Sequence, residues 1–191
     1  ADDAAKLIEQ HDLDGLDVDW EYPTLPGGNI SHRPEDRRNF SLMLEAVRAR
    51  LEVLGKQHKG RHYLLTIASA DNEFVAGVEL SRVARSLDWF NLMAYDFHNS
   101  LTPTTGHHAG LHPSKFDPPD DRAADKAVKQ YLAAGVPASK LVLGVPFYGR
   151  AFTDVAPEHN GLQQKYGKFF GAPSWRELTA DYIGKHGYVR Y

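Results

Sequence analysis

Four strand-like runs occur in this 191-residue chain and predict four β-strands, at residues 16–22, 63–70, 89–97 and 141–148; in the first run apolar and acidic residues alternate. Between the first two stretches, apolar residues recur at helical spacing from Phe40 to Leu54, and Gly55 follows as a helix end. Shorter helical patterns lie near Val83 and over residues 121–132. Strands that alternate with helices are typical of a parallel sheet, so the pattern predicts an α/β fold.

The first strand carries two different faces. One set of side chains is apolar and aromatic and the other is a row of three carboxylates: Leu16, Val18, Trp20 and Tyr22 against Asp17, Asp19 and Glu21. Successive acids on one face of a strand lie roughly 7 Å apart. Carboxylates at this spacing repel one another, so they share protons or bind a cation. Because strands are depleted in Asp and Glu, the row indicates an acid catalyst or a metal site more than a solvated surface.

The metal interpretation is the weaker of the two. An EF-hand spacing would use Asp12, Asp14, Gly15 and Glu21. Its first position would be Gln10, however, and Asp17 would occupy a position that is normally apolar. Prolines and glycines follow at 23–28 in place of the second helix of such a motif.

The composition is that of an ordinary globular protein, with 42% hydrophobic and 25% charged residues and a formal net charge of −3. This charge does not favour a nucleic-acid partner, and no apolar run reaches membrane-spanning length. The sequence contains no cysteine and therefore no disulfide. We expect no cofactor and no metal.

Three ordered segments resemble family eighteen of the glycoside hydrolases, the chitinases and their relatives. The first is the acid row, Asp14-x-x-Asp17-x-Asp19-x-Glu21, with the Tyr-Pro that follows it. Residues 93–97 (Met-Ala-Tyr-Asp-Phe) are similar to the family's sixth barrel strand, and 144–150 (Gly-Val-Pro-Phe-Tyr-Gly-Arg) to its seventh.

The resemblance implies a partial (β/α)8 TIM barrel that comprises strands four to seven of the family barrel. Residues 1–150 would belong to the catalytic barrel, and 151–191 would begin a small α+β insertion domain. A complete barrel has eight strands and about 250 residues. We therefore expect this chain to be part of a larger enzyme, with the remainder of the same barrel completing the fold.

The resemblance also implies a substrate-assisted mechanism that retains the anomeric configuration. Glu21 would be the general acid and base, and the like charges of its neighbours on the strand would favour its protonated form. Asp19 would orient the sugar's acetamido group, and Asp17 would share a proton with Asp19. Asp14, at the start of the strand, is expected to be structural. Tyr95 would bond the acetamido carbonyl, although a core tyrosine remains an alternative for this residue.

The substrate-binding residues implied by the resemblance are Tyr22, Met93, Asp96, Tyr148 and Arg150. A structural ion pair is an equal alternative for Arg150. Many relatives carry a Trp soon after the sixth strand, whereas residues 99–102 here read Asn-Ser-Leu-Thr.

Four histidines, at positions 98, 107, 108 and 112, fall in one segment, but their spacing fits no compact zinc site, and we expect a polar surface loop. Chitin or N-acetylglucosamine oligosaccharides are the expected substrates, and the resemblance favours a secreted enzyme. Two alternatives stay open: an endo-β-N-acetylglucosaminidase that acts on glycans, and a chitinase-like lectin that binds sugar without cleaving it.

Overall fold

The computed structural model describes residues 1–27 and 29–185, which form two compact units. The first unit consists of Ala1–Met93 and Ala127–Leu143, and the second of Ala94–Lys126 with the chain from Gly144 onward. The predicted division of the chain at residue 150 remains a prediction.

A four-stranded parallel sheet is the centre of the first unit. Its strands are β1 (Gly15–Val18), β2 (Leu64–Ser69), β3 (Trp89–Leu92) and β4 (Leu141–Leu143), and they lie in the order in which they occur along the chain. The register places Asp17 beside Thr66, and Thr66 beside Trp89. The α/β prediction is confirmed, but each strand is shorter than predicted. The predictions were too long because the sequence pattern of each strand continues into the irregular loop at the carboxyl edge of the sheet.

Helices precede and separate the strands. They are α1 (Asp2–His11), α2 (Asp36–Gln57), α3 (Glu73–Gly77), α4 (Leu80–Val83) and α5 (Ala124–Ala133), with a short 3₁₀ turn at Ala138–Lys140. Sequence analysis predicted α2 and α5 and missed α1, which buries only Ala5 and Ile8. Two apolar residues on a ten-residue helix make a weak periodic signal. No helix in the described ranges is both long and apolar enough to cross a bilayer.

The core of the first unit lies on one face of the sheet. Leu65, Ile67 and Phe90 are fully buried there, and Tyr131 of α5 meets Phe90 edge to face with ring centroids 5.6 Å apart. Leu92 of β3 is buried as well. The opposite face carries Asp17, Thr66 and Asn91, and it is the face on which the candidate site lies.

The second unit contains a two-stranded antiparallel sheet, β5 (Ala151–Thr153) with β6 (Lys168–Gly171). A 3₁₀ turn at Glu158–Gly161 lies between these strands. The short helix α6 (Trp175–Glu177) begins with a capping box in which Ser174 and Glu177 bond each other's backbone amides, and a π-helical turn at Leu178–Tyr182 follows it. Residues 186–191 lie outside the described residues, so the aromatic tail predicted there is described only to Tyr182.

Candidate active site

The acid row begins inside β1 and continues past its end. Asp17 is the last acid within the strand, and its Oδ1 accepts hydrogen bonds from the Thr66 hydroxyl and from the Asn91 amide, the latter at 2.9 Å. The Asn91 Oδ1 in turn accepts from Trp89 Nε1 at 2.9 Å. Donors from β2 and β3 thus hold the Asp17 carboxylate in place.

Asp19 and Glu21 lie beyond the strand, where packing of the intervening aromatic residues holds the backbone. Trp20 meets Phe40 of α2 edge to face at 5.6 Å, and Tyr22 meets Phe74 of α3 at 5.9 Å. The peptide bond between Glu21 and Tyr22 is cis. Asp19 is exposed and Glu21 is half-buried. Among residues 1–27 and 29–185, no hydrogen bond or ion pair engages either carboxylate, so both are available to a ligand.

Two further predicted residues of the first unit lie at opposite ends of the sheet. The Asp14 carboxylate precedes β1 and accepts from Arg61 Nη2 at 2.7 Å, and the same guanidinium contacts Asp12 at 3.2 Å. Two of the three acids that an EF-hand would use are therefore bound to an arginine. Met93 directly follows β3, and its amide donates to the Ser69 carbonyl at 2.8 Å, so it lies at the carboxyl edge of the sheet.

In the second unit, Asp96 and Arg150 form the centre of another cluster of predicted residues. Arg150 binds the Asp96 carboxylate with two nitrogens, and its Nε lies 2.7 Å from Oδ1. The guanidinium also lies over the Tyr148 ring, 4.9 Å from its centroid. Tyr95 meets the same ring edge to face at 6.3 Å. The structure therefore brings together four predicted side chains, although Asp96 and Arg150 are 54 positions apart in sequence.

The electrostatics of this cluster follow from partial burial and the ion pair. Burial raises the pKa of Asp96, but hydrogen bonds from Arg150 and Tyr148 outweigh it, so the net pKa lies below the ordinary value. Burial, together with the hydrogen bond to Asp96, raises the pKa of Tyr148 to about 12. The hydrogen bond to Asp96 raises the pKa of Arg150. The cluster therefore presents a carboxylate, a guanidinium and a neutral phenol at neutral pH, a set that suits hydrogen bonding to sugar hydroxyl and amide groups.

The histidine segment differs from the predicted surface loop. His98 is only 6% exposed, so the surface interpretation is wrong for this residue. His108 is also largely buried, its ring lies 5.4 Å from that of Tyr148, and burial lowers its pKa. No group of three His, Asp or Glu side chains in the described ranges is arranged to hold a metal ion.

Sequence reasoning did not identify Thr66, Asn91 or His108 as neighbours of predicted site residues. The signal for Asn91 was a polar amide between two buried apolar residues of a strand, Phe90 and Leu92. Its partner Asp17 is 74 positions away, and only the register of the sheet brings the two together.

Comparison with known proteins shows the family to which the chain belongs. The family model described as glycosyl hydrolases family 18 matches residues 1–190. Chitinase A1 of Niallia circulans is 40% identical over the whole chain, and chitotriosidase-1 of Mus musculus is 39% identical over 83% of it. The solved family 18 N-acetylglucosaminidase from Paenibacillus barengoltzii matches the whole chain with a TM-score of 0.94 and 38% identity.

The chain spans only part of each of these proteins: 29% of the first, 34% of the second and 56% of the third. Its four parallel strands are part of a (β/α)8 barrel, as predicted.

Proposed function

Because this chain belongs to family 18 of the glycosyl hydrolases, we propose that the protein hydrolyses chitin, the β-1,4-linked polymer of N-acetylglucosamine. The observation that carries the proposal is the acid row at the carboxyl end of β1. Catalytic residues of β/α barrels lie at this end of the strands. Asp17 is fixed by Thr66 and Asn91, whereas Asp19 and Glu21 extend beyond the strand with open carboxylates. This arrangement supports one anchored acid and two that act on a substrate.

In the proposed mechanism, Glu21 protonates the glycosidic oxygen as the bond to the leaving sugar breaks. The acetamido oxygen of the bound sugar attacks the anomeric carbon, so the enzyme supplies no carboxylate nucleophile. Glu21 then removes a proton from the water that opens the cyclic intermediate, and the configuration is retained. Asp19 orients the acetamido N–H and stabilises the developing positive charge. Asp17 shares a proton with Asp19, and the hydrogen bond from Asn91 holds it in place.

The second cluster is proposed to bind the sugar. Tyr95 would donate its hydroxyl hydrogen to the acetamido carbonyl, and Asp96 would accept from a sugar hydroxyl or the acetamido N–H. Arg150 holds the Asp96 carboxylate, so its ion pair and its binding role are compatible. Tyr22, Met93 and Tyr148 would border the sugar subsites with their apolar surfaces.

A second candidate is an endo-β-N-acetylglucosaminidase that acts on glycans. It is favoured by the structural match to an N-acetylglucosaminidase and shares the same acid and acetamido chemistry. A chitinase-like lectin is disfavoured, because Glu21 and the two acids before it are all present. Following its relatives, the protein is proposed to act outside the cell on N-acetylglucosamine polymers.

The test is Glu21→Gln in the gene product that carries this chain. The amide keeps the size of the side chain and removes its proton-transfer function, so we expect kcat to fall by about a hundred- to ten-thousand-fold. Binding of chitin oligomers should stay within about threefold. Glu52→Gln, on the exposed side of α2, is the matched control and should keep wild-type kcat.

Reducing-end release is measured on chitin oligomers and on glycoprotein glycans in parallel. Activity on glycans alone would transfer the assignment to the second candidate. Wild-type turnover of the Glu21 variant on either substrate would contradict the assignment of the acid.

A further inference from the structure

His98 is buried in the second unit with an acceptor at each ring nitrogen. Its Nδ1 lies 3.1 Å from the Thr104 carbonyl oxygen. Its Nε2 lies 3.0 and 3.1 Å from the two carboxylate oxygens of Asp121. A carbonyl oxygen has no hydrogen to give, and an ionised carboxylate only accepts. Both contacts are therefore hydrogen bonds only when both ring nitrogens carry a hydrogen, as in the imidazolium ion.

Hydrogen-bond donors surround the Asp121 carboxylate. Its Oδ1 accepts from the Arg122 amide at 2.8 Å, and its Oδ2 accepts from Gln163 Nε2 at 2.6 Å. The same Gln163 amide contacts Asp117, the other carboxylate that faces this pocket, at 3.2 Å. Every other contact to the Asp121 carboxylate comes from a hydrogen-bond donor. A positively charged imidazolium ring, which also donates, is the partner that fits these contacts.

The backbone packs so closely around the His98 imidazole that the ring has a single orientation. A Cβ added to Gly106 would lie 2.4 Å from the His98 ring, so this backbone segment packs directly against the imidazole. A ring held this closely cannot turn to exchange one acceptor for another without moving the segment.

The His98–Asp121 pair lies between two groups that hold the backbone of Asp96. Asp96 has a φ of 57°, in the left-handed region that non-glycine residues seldom adopt. Its carbonyl oxygen accepts from Asn99 Nδ2 at 3.1 Å and from Arg122 Nη1 at 3.3 Å. Asn99 directly follows His98 in sequence, and Arg122 directly follows Asp121.

We propose that His98 is a positioning residue, whose imidazolium ion, buried between Asp121 and Thr104, fixes the loop that presents Asp96. The pair joins the two segments that bond the Asp96 carbonyl, so loss of the charge would loosen both of these bonds and move the Asp96 carboxylate. The effect on turnover rests on the function proposed for Asp96, whereas the charge state of the ring does not.

The charge state is measured first, by nitrogen NMR of the histidine rings in the wild-type gene product. We expect both nitrogens of His98 to carry a hydrogen at about pH 7. In Asp121→Asn the ring should change to a single-hydrogen tautomer, because the negative partner is gone. A neutral His98 in the wild-type protein would overturn the proposal.

Turnover is measured second, with His98→Gln. Glutamine is neutral and can donate to only one of the two acceptors at a time. Since a displacement of about 1 Å in a binding group lowers turnover by up to about a hundredfold, we expect kcat to fall by about ten- to a hundredfold. His112→Gln, whose parent ring is 70% exposed, is the control and should match wild type.

A His98→Gln variant that is folded and fully active would overturn the positioning role. The NMR result needs no substrate and no variant, so it remains decisive if the proposed function fails or the variant does not fold.

Discussion

Asn91→Asp is the substitution that tests the acid row most directly. Asn91 accepts from Trp89 Nε1 through Oδ1 and donates to Asp17 through Nδ2, each at 2.9 Å. Aspartate has the same shape and can still accept from Trp89. The atom that faces Asp17 changes, however, from a donor nitrogen to a carboxylate oxygen. The substitution therefore exchanges one attraction for one repulsion with little change in packing.

The loss of folding stability in Asn91→Asp is estimated from two contributions and one upper limit. The lost hydrogen bond to a charged group is worth about 1.5–3 kcal/mol. Two unit charges about 4 Å apart repel by about 4 kcal/mol at an effective dielectric constant of about 20. The penalty is limited by protonation, since placing a proton on an ordinary Asp at about pH 7 costs about 4 kcal/mol. The resulting O–H would then replace the lost N–H donor. We expect the variant to be about 2–4 kcal/mol less stable at neutral pH.

The pH dependence has a definite sign. Two facing carboxylates in the folded variant bind a proton more tightly than they do in the unfolded chain, so the folded pKa of the pair is raised. The deficit is fully present above that raised value and disappears as the pH falls toward about 4, the unfolded value. Urea unfolding of the variant and the wild type at several pH values measures the difference.

The control for this experiment is Asn160→Asp, which adds the same charge at an exposed position. Its deficit should be within about 0.5 kcal/mol of zero at every pH. If the deficit of Asn91→Asp is the same at pH values of about 4 and 7, or is no larger than that of the control, Asn91 does not hold Asp17 as described.

Two further predictions concern the whole site. If the substrate's acetamido oxygen is the nucleophile, oligomers deacetylated at the cleaved sugar should resist hydrolysis there. Thiazoline mimics of the intermediate should inhibit the enzyme. NMR that detects the α-anomer first from a β-linked substrate would refute this mechanism. Residues 1–191 expressed alone should aggregate or lack activity, since β1 and β4 have unpaired edges in the described structure and Val142 and Leu143 are 48% and 41% exposed; a soluble, active monomer would contradict this expectation.

The strand prediction succeeded where one face of the chain is buried and failed at the strand ends. Alternation marked β1 correctly because Leu16 and Val18 are half-buried, whereas Asp17 between them is exposed and bonds Asn91. It extended the strand to Tyr22, however, because the residues after Val18 keep the same alternation outside the sheet. Alternation in a sequence shows which side chains are buried. A loop that packs aromatic residues against helices shows the same alternation as a strand.

Contacts between distant segments were beyond sequence reasoning. Arg150 was assigned equally to an ion pair and to a binding role, and the structure pairs it with Asp96 without removing the second role. The burial of His98 was missed because a polar residue in a loop rich in Ser, Thr and His has no apolar pattern to mark it. Its partner Asp121 is 23 positions away, and Gln163, which donates to Asp121, is 42 positions from that residue, so only the folded chain brings the three together.

The aromatic residues between the acids explain how one short segment can be both rigid and reactive. Inside β1, strand pairing fixes Asp17, and its carboxylate is bonded by residues of β2 and β3. Past Val18 the backbone loses that support, and Trp20 and Tyr22 replace it by packing on α2 and α3. Asp19 and Glu21 are thereby held at their backbone, so their carboxylates need no protein partner of their own and stay open to a substrate. A sequence that alternates acids with aromatic residues thus provides reactive groups on one side and their anchors on the other.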